Sequence, residues 1–376
     1  MKKISRYAVD NSILITLIIL SIISITTIYS AQQLLPAYMN TLFIKQTIWF
    51  IIGFALAYGI MYIGNDFINR HIWLFYGIGI LLLIALLLWA PTINGAKSWF
   101  VIPGFGNFQP SEFMKIILII TLASVIDEFN NEYNDPTIID ELKLLIKVAI
   151  ITGIPTILTF LQPDTGIVVI YLIITIVMLF ISGIRYGWFI LLFSIILVIS
   201  GIIFGIYYLD QDLFVNIFGT NLFYRLDRIL DWSSGTGMQL ENAITAIGSS
   251  GLVGHGFNKT PIYFPEPHTD FIFAVFASNY GLLGAILLIA LILFFNFKLI
   301  NLTNRNISNI NKYIIAGIVS TLIYQQVQNI GMTIGLLPIT GITLPFISYG
   351  GSSILSYMIM IGIIFNVSNQ SLRYTN

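Results

Sequence analysis

The chain has 376 residues, 57% of them hydrophobic and only 9% charged, with a mean hydropathy of +0.90 and zero net charge. Soluble domains carry about 25% charged residues. A chain this poor in charge cannot build a water-facing surface around one core, so lipid must be its main solvent. Zero net charge supplies no field to draw nucleic acid. The absence of cysteine excludes disulfides and thiol catalysis, and three histidines, His71, His255 and His268, argue against a histidine-rich metal cage.

A bilayer core needs about 20 apolar residues per helix. Ten runs meet this, at roughly 11–31, 44–64, 71–90, 110–128, 143–161, 165–183, 186–209, 270–297, 311–331 and 349–367. The first follows Met1-Lys2-Lys3. It is long for a signal-peptide core and has no convincing cleavage site, so it reads as a retained span. An even number of spans puts both termini on one side. With the N-terminus inside, the inner segments hold ten Lys or Arg residues against five outside, which favours cytoplasmic termini. The expected fold is an all-α polytopic membrane protein with about ten transmembrane helices, one membrane domain over 1–376. A large extracytoplasmic loop, about 210–269, separates helices 7 and 8. Long ordered loops are usually functional. The segments 91–109 and 332–348 are rich in Gly and Pro and are expected to be irregular. No Walker loop offers an ATP-driven engine.

In chain order, the first motif is Asn94-Gly95-Ala96-Lys97-Ser98-Trp99, then Gln109-Pro110-Ser111-Glu112-Phe113-Met114-Lys115. Pro110 suits the first turn of a helix and Glu112 its positive end. Glu112 and Lys115 are three apart and can pair. That is a helix start held by local charges, but a lysine inside an apolar run is also a functional candidate. Next, Gln162-Pro163-Asp164-Thr165-Gly166 links two spans, with Asp164 a natural N-cap.

Within the long loop, Ala246 to Gly256 holds four glycines, which either make turns or expose amides to a phosphate. The loop ends Pro265-Glu266-Pro267-His268-Thr269-Asp270, directly before a hydrophobic helix. Asp270 is either a cap or, beside Glu266 and His268 at headgroup depth, a general base. Last, Asn329-Ile330-Gly331-Met332-Thr333 precedes the uncharged, Pro- and Gly-broken stretch Leu337 to Ser353. Irregular backbone at membrane depth must be buried in protein or line a wet cavity.

Taken together and in this order, these stretches resemble the SEDS family of RodA, FtsW and SpoVE. The spellings lie marginally nearer RodA, and Pro345-Phe346-Ile347-Ser348-Tyr349-Gly350-Gly351-Ser352-Ser353 is the most specific. The resemblance implies a peptidoglycan glycosyltransferase that polymerises lipid II on the outer face of the bacterial cytoplasmic membrane, with inversion and release of undecaprenyl pyrophosphate. Asp270 would be the general base. Substrate contacts would come from Lys115, Glu112, Arg225, Arg228, His268, Glu266, Gly251 and Ser348. A divalent cation, Mg or Mn, is a candidate cofactor, with no metal ligand assigned, and a class B penicillin-binding protein is the implied partner, alongside membrane lipid. A lipid II flippase and an inactive scaffold are the competing readings. The chain departs from the family at Ala277-Ser278-Asn279-Tyr280-Gly281, where many members carry two glutamates. It departs also at Gly248-Ser249-Ser250-Gly251 and at Ser98.

Overall fold

The computed structural model describes residues 9–93, 95–102, 106–220, 223, 238–305 and 307–374. Thirteen α-helices among them carry the chain: α1 Asn11–Ala31, α2 Leu42–Ile63, α3 Asn65–Arg70, α4 Ile72–Trp89, α5 Pro110–Glu132, α6 Ile138–Leu161, α7 Thr165–Ile181, α8 Gly187–Leu209, α9 Gln211–Phe218, α10 Met238–Gly248, α11 Ile272–Asn301, α12 Asn309–Thr333 and α13 Gly351–Tyr374. Local chemistry sets their starts. Asp10 caps α1 by accepting from Ser12 N–H at 3.0 Å. Thr137 and Asp140 form a reciprocal capping box on α6, and Pro110 opens α5 where its missing N–H costs nothing.

Each of the ten apolar runs coincides with one of these helices. Seven stretches are long and apolar enough to cross a bilayer: Asn11–Leu34, Ala37–Ile63, Ile72–Trp89, Ile138–Leu161, Gly187–Leu209, Ile272–Asn304 and Gly351–Gln370. Helices α5, α7 and α12 fall outside that group. α7 is one residue short, at 17 residues, and α5 and α12 carry too many polar groups. They can do so because protein surrounds them: α5 buries Met114, Ile119, Leu122 and Ile126, and α12 buries Ile314, Ile318 and Leu322. Small residues let the inner helices close up. A Cβ on Gly362 of α13 would lie 2.7 Å from the Ala57 carbonyl of α2, and one on Gly317 of α12 would lie 2.7 Å from Ile119 of α5.

Two end faces result. One joins Asp10 to Arg305 at 2.6 Å, Asn130 to the Ser182 carbonyl at 2.9 Å and Asn65 to the Ile363 carbonyl at 3.3 Å. The other joins Ser98 to the Gln162 carbonyl at 3.2 Å, Gln109 N–H to Ser352 at 3.0 Å and Tyr349 N–H to the His268 carbonyl at 2.9 Å. All the quoted motifs sit at or near this second end.

The segment 91–109 is not wholly irregular. It contains a short antiparallel pair, β1 Phe100–Ile102 with β2 Gly106–Phe108, in which Phe100 stands opposite Phe108, aromatic residues that favour strand. The stretch 210–269 is likewise more ordered than a bare loop, since it holds α9 and α10. Asp210 caps α9 by accepting from Leu213 N–H at 2.9 Å, and Asn242 of α10 donates to the Tyr263 carbonyl at 2.8 Å.

Helix α11 breaks at Gly281, where φ is 66° and ψ −165°. The break orphans backbone groups that must be satisfied. The glycine-rich segment does this: His255 and Gly256 N–H donate to the Ser278 and Asn279 carbonyls at 3.0 and 3.1 Å. In return, Leu282 and Leu283 N–H donate to the Gly251 and Leu252 carbonyls at 3.0 and 3.1 Å. Gly254 and Gly281 meet backbone to backbone, so a Cβ on Gly254 would fall 2.2 Å from the Asn279 carbonyl oxygen. The Gly254 and Gly256 amides are used within the protein, donating to the Ser250 and Asn279 carbonyls at 3.0 and 3.1 Å.

Candidate functional site

Asp270 stands two residues before α11, in a turn that follows the Pro265-Glu266-Pro267 segment. Glu266, with a positive φ of 52°, turns the chain so that its carbonyl accepts from both Thr269 and Phe271 N–H at 3.3 and 3.2 Å. Its carboxylate accepts from the Thr269 hydroxyl at 2.9 Å and remains exposed. The His268 ring is buried against Tyr349, 5.7 Å between centroids, with Nδ1 lacking a partner. Burial holds its imidazole below the ordinary value, with Glu266 opposing. Asp270 is pushed up to about 7, first by burial and then by the Glu266 charge, against a bond from Thr269. A carboxyl tuned near neutrality in a recess is the signature of a group that takes up and releases protons.

The uncharged stretch 338–350 wraps this carboxyl. Gly341 faces it closely enough that a Cβ there would lie 3.6 Å from Asp270 Oδ2. The Ser348 hydroxyl donates to the Thr269 carbonyl at 2.7 Å and accepts from Leu344 N–H at 2.8 Å. Gln46 of α2 donates to the Ser348 carbonyl at 3.1 Å, and Ser24 of α1 to the Ile347 carbonyl at 2.8 Å. The irregular backbone is thus satisfied from buried side chains of two spans, as membrane depth requires.

On the far side of residues 340–342 lies the start of α7. A Cβ on Gly166 would sit 3.3 Å from the Thr340 carbonyl oxygen. Asp164 caps α7 through Ile167 N–H at 3.3 Å and also accepts from Gln109 at 2.8 Å and Ser111 at 3.5 Å. Burial pushes it up to about 6, against the Ile167 bond, with the Glu112 charge adding to the rise. Beneath it, Lys115 and Glu112 form an ion pair at 2.8 Å, with no exposure of the lysine side chain. Ser356 donates to Glu112 at 3.1 Å, and Lys115 Nζ lies 5.2 Å from the Tyr357 ring centre.

The structure therefore brings Asp270, Glu266, His268 and Ser348 together, and places Glu112 and Lys115 one layer deeper, paired with each other. Gly251 lies on the clasp across the α11 break, its carbonyl taken by Leu282. Arg225 and Arg228 lie outside the described residues. Two contributors were passed over in the sequence: Asn329 stood in a quoted motif without a role, and Gln46 had only the signal of an amide inside an apolar run. Asp164, expected as a cap, does cap α7 and also gathers Gln109 and Ser111. A separate surface cavity of about 160 Å³, lined by Glu128, Glu132, Lys143 and Lys147 among others, lies at the opposite end face.

Comparison with known proteins follows the same outline. The family model for FtsW/RodA/SpoVE, described as "Cell cycle protein", matches residues 9–373. The chain is 32% identical to the "Probable peptidoglycan glycosyltransferase FtsW" of Coxiella burnetii, over 95% of this chain and 94% of that one. It is 30% identical to the "Stage V sporulation protein E" of Bacillus subtilis, over 96% and 97%. In fold it resembles a chain from a solved peptidoglycan synthase complex that coordinates polymerization and crosslinking. The TM-score is 0.79 at 24% identity, covering 97% of this chain and 98% of that one. This bacterial membrane protein belongs to the FtsW/RodA/SpoVE family.

Proposed function

We propose that Asp270 is the general base of this peptidoglycan glycosyltransferase, which joins lipid II units at the outer membrane face. The observation that carries the reading is the carboxyl itself: it is tuned to about 7, recessed beside Gly341, and set at the end of a span where a lipid-linked sugar can reach it. Near pH 7 such a group exists in both forms, so it can accept a proton and be regenerated. Asp270 takes the proton from the acceptor 4-hydroxyl. That oxygen bonds to the donor's anomeric carbon from the face opposite the pyrophosphate, and the bond to pyrophosphate breaks. Inversion follows, and undecaprenyl pyrophosphate leaves. Glu266 and His268 shape the field around the base, and Ser348 holds its main chain. Lys115 and Glu112, ion-paired with each other, act through the α5 terminus rather than on the substrate. Arg225 and Arg228 remain the cationic candidates for the leaving pyrophosphate. Among the described residues no group of three or more His, Asp or Glu side chains is placed to hold a metal ion, so no step is routed through one.

The end face carrying Asp270 is outside, with ten crossings and both termini cytoplasmic, and the whole chain acts as one membrane domain. The Lys and Arg bias and the gathering of the intervening segments at two opposite faces support this arrangement. The likeness to a chain of a peptidoglycan synthase complex supports a class B penicillin-binding protein as partner. The test is polymerisation of purified lipid II by the purified protein, alone and with that partner, read as glycan length on a gel. Wild type should give long strands and folded Asp270→Ala none. Equal strands from both would overturn the base, and no strands from either with the partner present would favour a flippase or scaffold.

A further inference from the structure

The ladder of α11 starts one residue too late to hold the base. Ala274 and Val275 N–H both bond to the Phe271 carbonyl, at 3.0 and 3.4 Å, which leaves the carbonyls of Thr269 and Asp270 outside the helix. Buried carbonyls need donors. Ser348 supplies one to Thr269. For Asp270 the donor comes from α12: the Asn329 amide, with no exposed surface, gives one N–H to the Asp270 carbonyl and the other to the Ile342 carbonyl, both at 2.8 Å. A primary amide has two such hydrogens on one nitrogen, so it bridges two carbonyls that a leucine would leave bare. One of these carbonyls belongs to the base and the other to the residue after Gly341, which faces the base's carboxylate.

We propose that Asn329 is a positioning residue, an amide strap that ties the Asp270 main chain to Ile342 and so fixes the carboxylate against Gly341. The inference rests on the reading of Asp270 as base and adds the part that holds it. Among the described residues the charged group that acts on the carboxylate is Glu266 on its own segment, with His268, packed on Tyr349, beside it in the chain; from α12 the Asn329 amide reaches the Asp270 main chain. Loss of the strap loosens the recess and admits water. The burial that raises Asp270 weakens, and its pKa moves toward the ordinary carboxylate range.

The experiment measures lipid II polymerisation rates against pH for the full chain with its partner. It compares wild type, Asn329→Leu, Gln328→Leu and Asp270→Asn. Gln328 is the control: it is also buried on α12 and donates to the same stretch, to the Pro338 carbonyl at 2.8 Å, without touching Asp270. Asn329→Leu should lower kcat about 10- to 100-fold with KM changed less than about 2-fold, and should shift the acid limb of the kcat profile to lower pH by about half a unit or more. Gln328→Leu should leave the limb in place. If Asn329→Leu does not fold, Asn329→Ser carries the same test, since one hydroxyl reaches one carbonyl at most. A limb that stays put in the folded Asn329 variant, or loses rate equally with Gln328→Leu, overturns the strap. If Asp270→Asn is inactive in that case, the base stands without it. An active Asp270→Asn overturns the base and the strap together.

Discussion

Helices α8 and α12 are of similar length and are built for opposite solvents. α8 has a mean hydropathy of 3.0, and none of the residues of its apolar stretch is buried. Ile190, Phe193, Leu197 and Ile202 all face outward. α12 is too polar to count among the candidate spans, yet it buries Gln325, Gln326, Gln328, Asn329 and Thr333. Its Gln326 pairs with Asn296 of α11 at 2.6 Å, and its Asn329 donates to the Asp270 and Ile342 carbonyls. α5 follows α12, with a buried lysine and glutamate. Hydropathy finds the helices that lipid solvates. The buried polar side chains sit on the helices that hydropathy ranks lowest, because there protein matches them.

That contrast is sharpest at the Glu112–Lys115 pair. Lys115→Met leaves a buried carboxylate with Ser356 alone, and an uncompensated buried charge costs about 3–5 kcal/mol. The expected outcome is a large drop in melting temperature in detergent, with loss of polymerisation. Adding Glu112→Leu should recover much of the stability, since an apolar pair of similar size needs no partner. If the single variant melts like wild type, α5 is wetter than its burial indicates, and the division between the two kinds of helix weakens.

What could be read from the sequence follows the same division. Each of the ten apolar runs fell on a helix, and the starts of α5 and α7 were legible because Pro110 and Asp164 act locally, whereas α6 begins at Ile138, ahead of the expected 143, behind a Thr137–Asp140 box that the apolar run does not include. The carboxyl at 270 stood out because Glu266 and His268 crowd it within five residues at the start of a span. Three features were not legible, each for a distance reason. Gly281 looks like any glycine in an apolar run, and only the approach of Gly254 shows that α11 must break there. Gln46 and Ser24 read as tolerated polar residues until the 338–350 stretch is folded onto them. Asn329 bridges two carbonyls from segments 59 and 13 residues away, and no local pattern announces that.

A smaller effect distinguishes the polar junctions from the lipid-facing helices by pH. Burial raises Asp164 to about 6, so the folded state holds this proton where the unfolded chain has lost it. Stability is therefore fully present below the ordinary carboxylate value and falls as pH rises from about 4 to about 6. Asp270 acts in the same direction, to about 7. Wild type should melt at a higher temperature at pH 5 than at pH 8. Asp164→Asn keeps an oxygen for the cap and removes the titration, so the gap should narrow by roughly 1 kcal/mol, allowing for partial solvent screening. An unchanged gap would mean that Asp164 is hydrated in the folded protein, and its network with Gln109 and Ser111 would then be a surface feature.

The smallest expected effect is on α8. Its body touches little of the protein. Gly201 and Gly205 have nothing within 4 Å of an added Cβ. Its two ends are tied, where Trp188 donates to the buried Glu141 carboxylate at 2.7 Å and where Tyr207 packs on Phe214 of α9, 5.6 Å between ring centres. Ile196, half exposed, gives up only lipid contacts when shortened. Ile196→Ala should therefore change stability by less than about 0.5 kcal/mol and leave polymerisation by the purified protein unchanged, because lipid tails refill the space. A loss several times larger would show that α8 spends its working life packed against protein, and the contrast with α12 would then describe one state of the chain rather than its design.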